Sequence, residues 1–226
     1  MNIRMLLGVS LLSLATGVWG AGQTELQTDE EKFSYAIGFQ IAQSLKRQGL
    51  EVEQGSLIQA IQDVLSDTPL RLSMTEMQAA VESYRQKQMQ QRMAVATKNE
   101  EAGQAYMAAN KEKKGVTQLE SGLQYKVIKK GEGTKPKVDD TVEVHYRGSL
   151  ISGEEFDSSY ARGETATFAL NGVIPGWQEA LQLMSEGAKW QVIIPPTLAY
   201  GAEGAGDRIG PNETLVFEIE LISVKN

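Results

Sequence analysis

The sequence predicts an α+β protein: an all-helical N-terminal half, a long connecting helix, and a C-terminal antiparallel half-barrel sheet wrapped around one short helix. Three observations lead there. Up to Lys114 the apolar residues recur at helical spacing, and no proline interrupts residues 73–114. From Gly115 onward the period drops to two. Gly-rich turns such as Gly131-Glu132-Gly133 and Ser152-Gly153 then cut the chain into strand-length pieces.

The first segment, residues 1–20, reads as a secretory leader. Arg4 precedes an apolar stretch, Met5–Val18, and Val18-Trp19-Gly20 offers small residues at the −3 and −1 positions of a cut after Gly20. The stretch is short for a membrane anchor, which is the alternative. No cysteine follows it to take a lipid. The reading directs the chain for export, to the periplasm by default in a Gram-negative cell, with the outer-membrane surface and secretion as the other destinations. Cleavage removes Arg4 and takes the formal net charge from −7 to −8.

Residues 21–72 read as a helical module. Thr28-x-x-Glu31 has the form of a capping box, and Phe33, Ile37, Ile41 and Leu45 follow on one helix face until Gly49. Leu57, Ile58, Ile61, Val64 and Leu65 mark a second, shorter helix that ends near Pro69. Ser73-x-x-Glu76 opens the connecting helix of residues 73–114, about 60 Å of Gln-, Ala-, Met-, Glu- and Lys-rich sequence. Its second half, Ala94–Lys114, carries few large apolar residues beyond Val95, Tyr106 and Met107, and reads as a solvated bridge between two bodies. The two short helices are too apolar to stand alone. They are expected to bury their faces in a homodimer, against Met74, Met77, Val81, Tyr84 and Met89 of a second copy. A monomeric helical cap and a methionine-rich surface for client proteins are the alternatives.

Residues 115–226 form the sheet domain in this reading. Leu123, Tyr125 and Val127 alternate with polar residues, as do Val142, Val144, Tyr146, Gly148 and Leu150. Ala166, Phe168 and Leu170 follow, then Trp190, Val192 and Ile194, then Leu215, Phe217, Ile219 and Leu221, giving about five strands. The short helix spans about Pro175–Met184, with Pro inside its first turn. Aromatic side chains recur along this third of the chain at spacings that line one apolar cup, suited to a proline ring whose adjoining peptide bond must turn.

Composition excludes several chemistries. The acidic balance and pI near 5.0 argue against nucleic acid or an anionic membrane as partner. Without cysteine there is no disulfide or thiol nucleophile, and one histidine cannot build a multi-histidine metal centre. No metal and no cofactor is expected. His145 falls on the polar strand face beside Glu143 and Arg147, as a solvated residue; a hydrolase triad of Ser158, His145 and Asp157 would need that ring in the cleft. Gly201–Gly206 lacks the Lys-Ser/Thr ending of a phosphate loop and reads as a flexible flap.

Six blocks carry a resemblance: Ser121-Gly122-Leu123, Val144-His145-Tyr146, Phe156-Asp157-Ser158-Ser159, Val173-Ile174-Pro175-Gly176-Trp177, Ala199-Tyr200-Gly201 and Thr214-Leu215-Val216-Phe217. In this order they resemble the FKBP-type peptidyl-prolyl cis–trans isomerases. The upstream helices resemble the secreted Mip-like branch, with its dimerisation module and connecting helix. The resemblance implies a rotamase that acts on proline-containing unfolded or partly folded polypeptides and can bind macrolide inhibitors. It implies Trp177 as the floor of the cup and Tyr146, Phe156, Phe168, Val173, Ile174 and Phe217 as walls. Tyr200 and the Ile174 backbone N–H would donate to substrate carbonyls. Asp157 would sit by the rotating amide, held by Tyr146 and Arg162, and Ile209 would close one side. Ala166 stands where many relatives carry an aromatic, and Ala205 where some carry histidine. Catalysis of this kind needs no covalent step. The alternative is a dimeric holdase that docks proline segments with little catalysis.

Overall fold

The computed structural model describes residues 25–225, so the leader read over residues 1–20 lies outside the described residues. The chain divides into two compact units, one ending at Arg71 and the next beginning at Leu72.

The first unit holds helices α1 (Asp29–Arg47) and α2 (Gln54–Leu65). Thr28 Oγ1 accepts from the Glu31 N–H at 3.1 Å while Glu31 Oε2 accepts from the Thr28 N–H at 3.0 Å, completing the capping box. Glu53 caps α2 by accepting from the N–H groups of Gly55 and Ser56. The apolar faces that the spacing defines are not covered: α1 buries no residue, and Phe33, Ile41 and Leu65 are 68%, 42% and 79% exposed. Ile41, Leu45, Leu57, Ile58 and Ile61 line an open groove between the helices. Among the described residues of the unit, the one buried side chain is a charge. Asp63 accepts from Arg71 Nε at 3.0 Å and Gln59 Nε2 at 2.8 Å, tying the turn after α2 back onto the helix.

The second unit begins with α3 (Met74–Lys111), started by a second capping box at Ser73 and Glu76. Then come β1 (Val116–Gln118), β2 (Gln124–Lys129), β3 (Thr141–Leu150), β4 (Glu155–Ser158), α4 (Ser159–Arg162), β5 (Ala166–Ala169), α5 (Pro175–Leu183), β6 (Lys189–Ile194) and β7 (Leu215–Lys225). All seven strands join one antiparallel sheet in the order β1-β2-β6-β7-β3-β4, with β5 also paired to β3. Seven strands replace the expected five because β1 and β4 span only three and four residues, too few to show alternation. In β3 the phase is as read: Val142, Val144, Tyr146 and Gly148 are buried and their neighbours are not. α5 lays Trp177, Ala180 and Leu181 against this face, with Trp190, Val192, Leu215, Phe217 and Ile219 beneath.

The second half of α3 is mostly exposed, as its composition suggests, but not all round. It docks on the sheet unit through polar side chains and a glycine. Asn110, 2% exposed, donates to Gln124 Oε1 at 2.9 Å; Gln124 Nε2 in turn donates to the Met107 carbonyl at 2.9 Å and to Gln118 Oε1 at 3.1 Å. Gln124 uses both its oxygen and its nitrogen in this buried group, which offsets much of the desolvation cost of burying the amides. Among the described residues, no helix is long and apolar enough to cross a membrane.

Candidate active site

α5 starts with Pro175, which needs no N–H partner at that position, and so brings Trp177 to the centre of the sheet's concave face. Around the indole stand Tyr146, Phe168 and Phe217, each edge-on, with centroids at 5.2, 5.6 and 5.3 Å. Such pairs are favourable by about 0.5–1.5 kcal/mol each beyond their buried area. The indole Nε1 is buried with no hydrogen-bond acceptor among the described residues. Phe156 stands edge-on to Phe217 at 5.6 Å. Two glycines make room for this cluster. A Cβ on Gly148 would lie 2.6 Å from Phe156 and 2.7 Å from Phe217, and one on Gly176 would lie 2.4 Å from Ile194.

Together these residues enclose a cavity of about 320 Å³, lined by Tyr146, Phe156, Asp157, Phe168, Val173, Ile174, Trp177, Tyr200 and Phe217, with Gly172. Its walls are apolar and its polar groups are few. The Tyr200 hydroxyl, at the mouth, makes no hydrogen bond to a described residue. The Ile174 N–H, at the start of α5, has no backbone acceptor among the described residues.

Asp157 is held from two sides. The Tyr146 hydroxyl donates to Oδ2, and Arg162 Nη1 donates to Oδ1 at 2.5 Å. Arg162 Nη2 also donates to the Tyr146 oxygen at 2.9 Å, closing a triangle. Partial burial pushes the Asp157 carboxyl up, but the two donors and the guanidinium charge outweigh it and hold the group below the usual carboxylate range. Burial and the hydrogen bond to Asp157 push Tyr146 up; burial and the Asp157 charge do the same to Tyr200. Near neutral pH the site therefore holds one carboxylate and two protonated phenols. The Arg162–Asp157 pair is nearly half exposed, so it fixes geometry more than it stabilises the fold.

Arg162 holds Asp157 and Tyr146 from outside the cavity, in the place the resemblance implies, and does not itself line it. Ile209 lines an adjoining hollow with Phe156, Asp157, Tyr200 and residues 205–208. Ala166 lies outside the lining, packed on the core, and Phe168 closes that side. Spacing gave no sign of Arg208, whose Nη1 donates to the Phe156 carbonyl at 3.2 Å and ties the flap to the wall. His145 points away from the cavity, as alternation requires. It is half-buried and not solvated: its ring stacks on Tyr160 at 4.7 Å and its Nδ1 lies 3.0 Å from Ser159 Oγ. Ser158 caps α4, so no hydrolase triad forms.

Comparison with known proteins agrees with this geometry. A family model described as FKBP-type peptidyl-prolyl cis-trans isomerase matches residues 132–222. One described as the domain amino terminal to FKBP-type peptidyl-prolyl isomerase matches residues 30–127, reaching through α3 into β2. The chain is 44% identical to an outer membrane protein MIP of Legionella longbeachae, over 95% of this chain and 94% of that one. It is 39% identical to the peptidyl-prolyl cis-trans isomerase Mip of Coxiella burnetii, over 98% of each. The crystal structure of FkpA from Escherichia coli superposes with a TM-score of 0.63 at 39% identity, covering 89% of this chain and 99% of that one.

Proposed function

The chain belongs to the FKBP-type peptidyl-prolyl cis–trans isomerases, and from that membership we propose how its residues turn an Xaa-Pro bond and where in the cell they do so. The carrying observation is the pairing of an apolar, ring-walled floor at Trp177 with a clamped carboxylate at Asp157 on the same cavity. Resonance opposes rotation of the peptide bond by about 18–20 kcal/mol. A twisted amide loses that resonance, and its carbonyl becomes less polar. A dry cup favours it over the planar ground state, which is binding directed at the transition state. The proline ring packs on Trp177, and Tyr146, Phe156, Phe168, Val173 and Phe217 exclude water around it. Tyr200 and the Ile174 N–H donate to the flanking carbonyls, and Asp157 faces the rotating amide with its charge fixed by Tyr146 and Arg162. No bond to the enzyme forms at any step.

The uncovered faces of α1 and α2 support a homodimer paired through residues 21–72. Two cups carried on two α3 helices then act on one client, raising their effective concentration. The same exposed apolar residues favour a second reading, a holdase that grips unfolded chains while the cup samples their prolines. The leader over residues 1–20 supports export, with the periplasm as the place of work, on unfolded or partly folded proteins.

The test is exchange of a short Leu-Pro peptide followed by NMR, with the mature chain at sub-stoichiometric concentration. Tyr200→Phe and Asp157→Ala are each expected to slow catalysed exchange about tenfold, equivalent to about 1.4 kcal/mol of transition-state stabilisation. A macrolide that fills the cup should abolish it. Full activity in both variants would overturn the assigned chemistry, and no exchange from the folded parent chain would rank the holdase first.

A further inference from the structure

Most of α3 is exposed, yet from its middle onward the least exposed residues, Ala96, Asn99, Gly103, Tyr106 with its neighbour Met107, and Asn110, follow one another at three- and four-residue steps. That is one stripe of a helix. Arg92, four residues before Ala96, extends it. The stripe holds the flap at both ends. Near the start of the flap, Arg92 Nη2 donates to the carbonyls of Ala202 and Glu203 at 3.2 and 3.1 Å, and to Glu203 Oε2 at 2.7 Å. Near its end, Asn99 Nδ2 donates to the Pro211 carbonyl at 2.9 Å. Gly103 meets the buried Thr214 so closely that a Cβ would lie 2.3 Å from Thr214 Oγ1. Between the two ends the flap is braced on itself: Asn212 N–H donates to the Gly201 carbonyl at 2.8 Å, and Ala205 and Ile209 exchange backbone bonds at 2.9 and 3.1 Å. Tyr200 leads into this flap and Ile209 lies within it.

We propose that α3 is a positioning element of the isomerase site, in which Arg92, Asn99 and Gly103 clamp the two ends of the flap and thereby set where Tyr200 and Ile209 stand. None of the three touches the cavity. They act through the flap backbone, which has few buried apolar contacts of its own and would otherwise sample several conformations. A catalytic hydroxyl displaced by about 1 Å loses much of its effect. The helix thus contributes to catalysis as well as connecting the units, and bending or turning of α3 is felt at the cup. This rests on Tyr200 as a substrate contact.

The experiment uses the full mature chain carrying Gly103→Ala, or the double substitution Arg92→Ala/Asn99→Ala at less buried positions where folding is secure. Two readouts are taken: amide hydrogen exchange by segment, and KM and kcat for a Leu-Pro peptide. The clamp predicts exchange about tenfold faster across residues 201–212, with β3 and β7 amides unchanged, and a kcat about fivefold lower with KM altered less than twofold. A helix that serves stability alone predicts a lower unfolding midpoint with parental flap exchange and parental kinetics; that result in the double variant overturns the proposal. Tyr200→Phe in the same assay separates the two failures. An unchanged rate there overturns the role of Tyr200, whereas a slowed Tyr200→Phe beside an unchanged double variant overturns the clamp alone.

Discussion

The two units treat their apolar side chains in opposite ways. In the sheet unit, Leu123, Leu181, Leu215 and Ile219 are fully buried. In the helical unit, Phe33, Ile41, Leu65 and their neighbours are exposed, and among the described residues the one buried side chain is Asp63. Both sets follow equally clear periodicities. The difference teaches that a period says which residues share a face, and not whether the same chain can cover it. A sheet curved around α5 closes on itself. Among the described residues, the two short helices have no third element of their own unit to close on, and burying each such side chain is worth about 1.5–3 kcal/mol, so the incentive to find a second surface is large.

The contrast breaks most visibly at the helical face. Ile41→Asp, in the groove between α1 and α2, is expected to weaken self-association of the mature chain about 100-fold, roughly 3 kcal/mol, while Leu-Pro peptide exchange stays at the parental rate. Sedimentation equilibrium decides it; an unchanged oligomer would place the interface elsewhere. A smaller effect is expected on the covered side. Gly148→Ala drives a methyl into Phe156 and Phe217, and overpacking of this kind costs about 1–3 kcal/mol. Urea titration should show that loss, together with weaker peptide turnover; parental stability would mean that the rings yield freely and the cup is softer than its packing implies.

The smallest effect concerns pH. Asp157 is held below the usual carboxylate range and Tyr146 and Tyr200 are pushed above the usual phenol range, so none of them titrates between about pH 5 and 9. Catalysed exchange should vary less than twofold over that window, and a steeper profile would reveal a titrating group outside this set. The sign for stability follows from the lowered value. The contribution of Asp157 is complete above its unfolded pKa of about 3.9 and is lost as pH falls through the lower folded one. Asp157→Asn should remove that acid-side loss.

Much of this was legible before any coordinates. Alternation through Val142, Val144 and Tyr146 gave the sheet and its inward face, and Thr28 and Ser73 with their partner glutamates gave two helix starts. Pro175 gave the start of α5. Three things were not. β1 and β4 are shorter than the pattern that reveals a strand. The position of Ile209 in a hollow beside the cup depends on loop conformation, which spacing along the chain does not encode. The docked face of α3 was missed for a different reason: Asn99, Gly103 and Asn110 make their contacts by hydrogen bonding and close approach, so a search for hydrophobic stripes passes over them.

The amide group at Asn110 and Gln124 has a mechanical consequence. Amides donate from one atom and accept at another, so they satisfy one another in one angular setting. Turning α3 by a single residue, about 100°, would strand several of these buried atoms at about 1–3 kcal/mol each. The joint is keyed like a shaft in a slotted hub. Torque applied to the shaft is passed to the hub, and slippage is suppressed, so whatever grips the far end of α3 has a handle on the sheet.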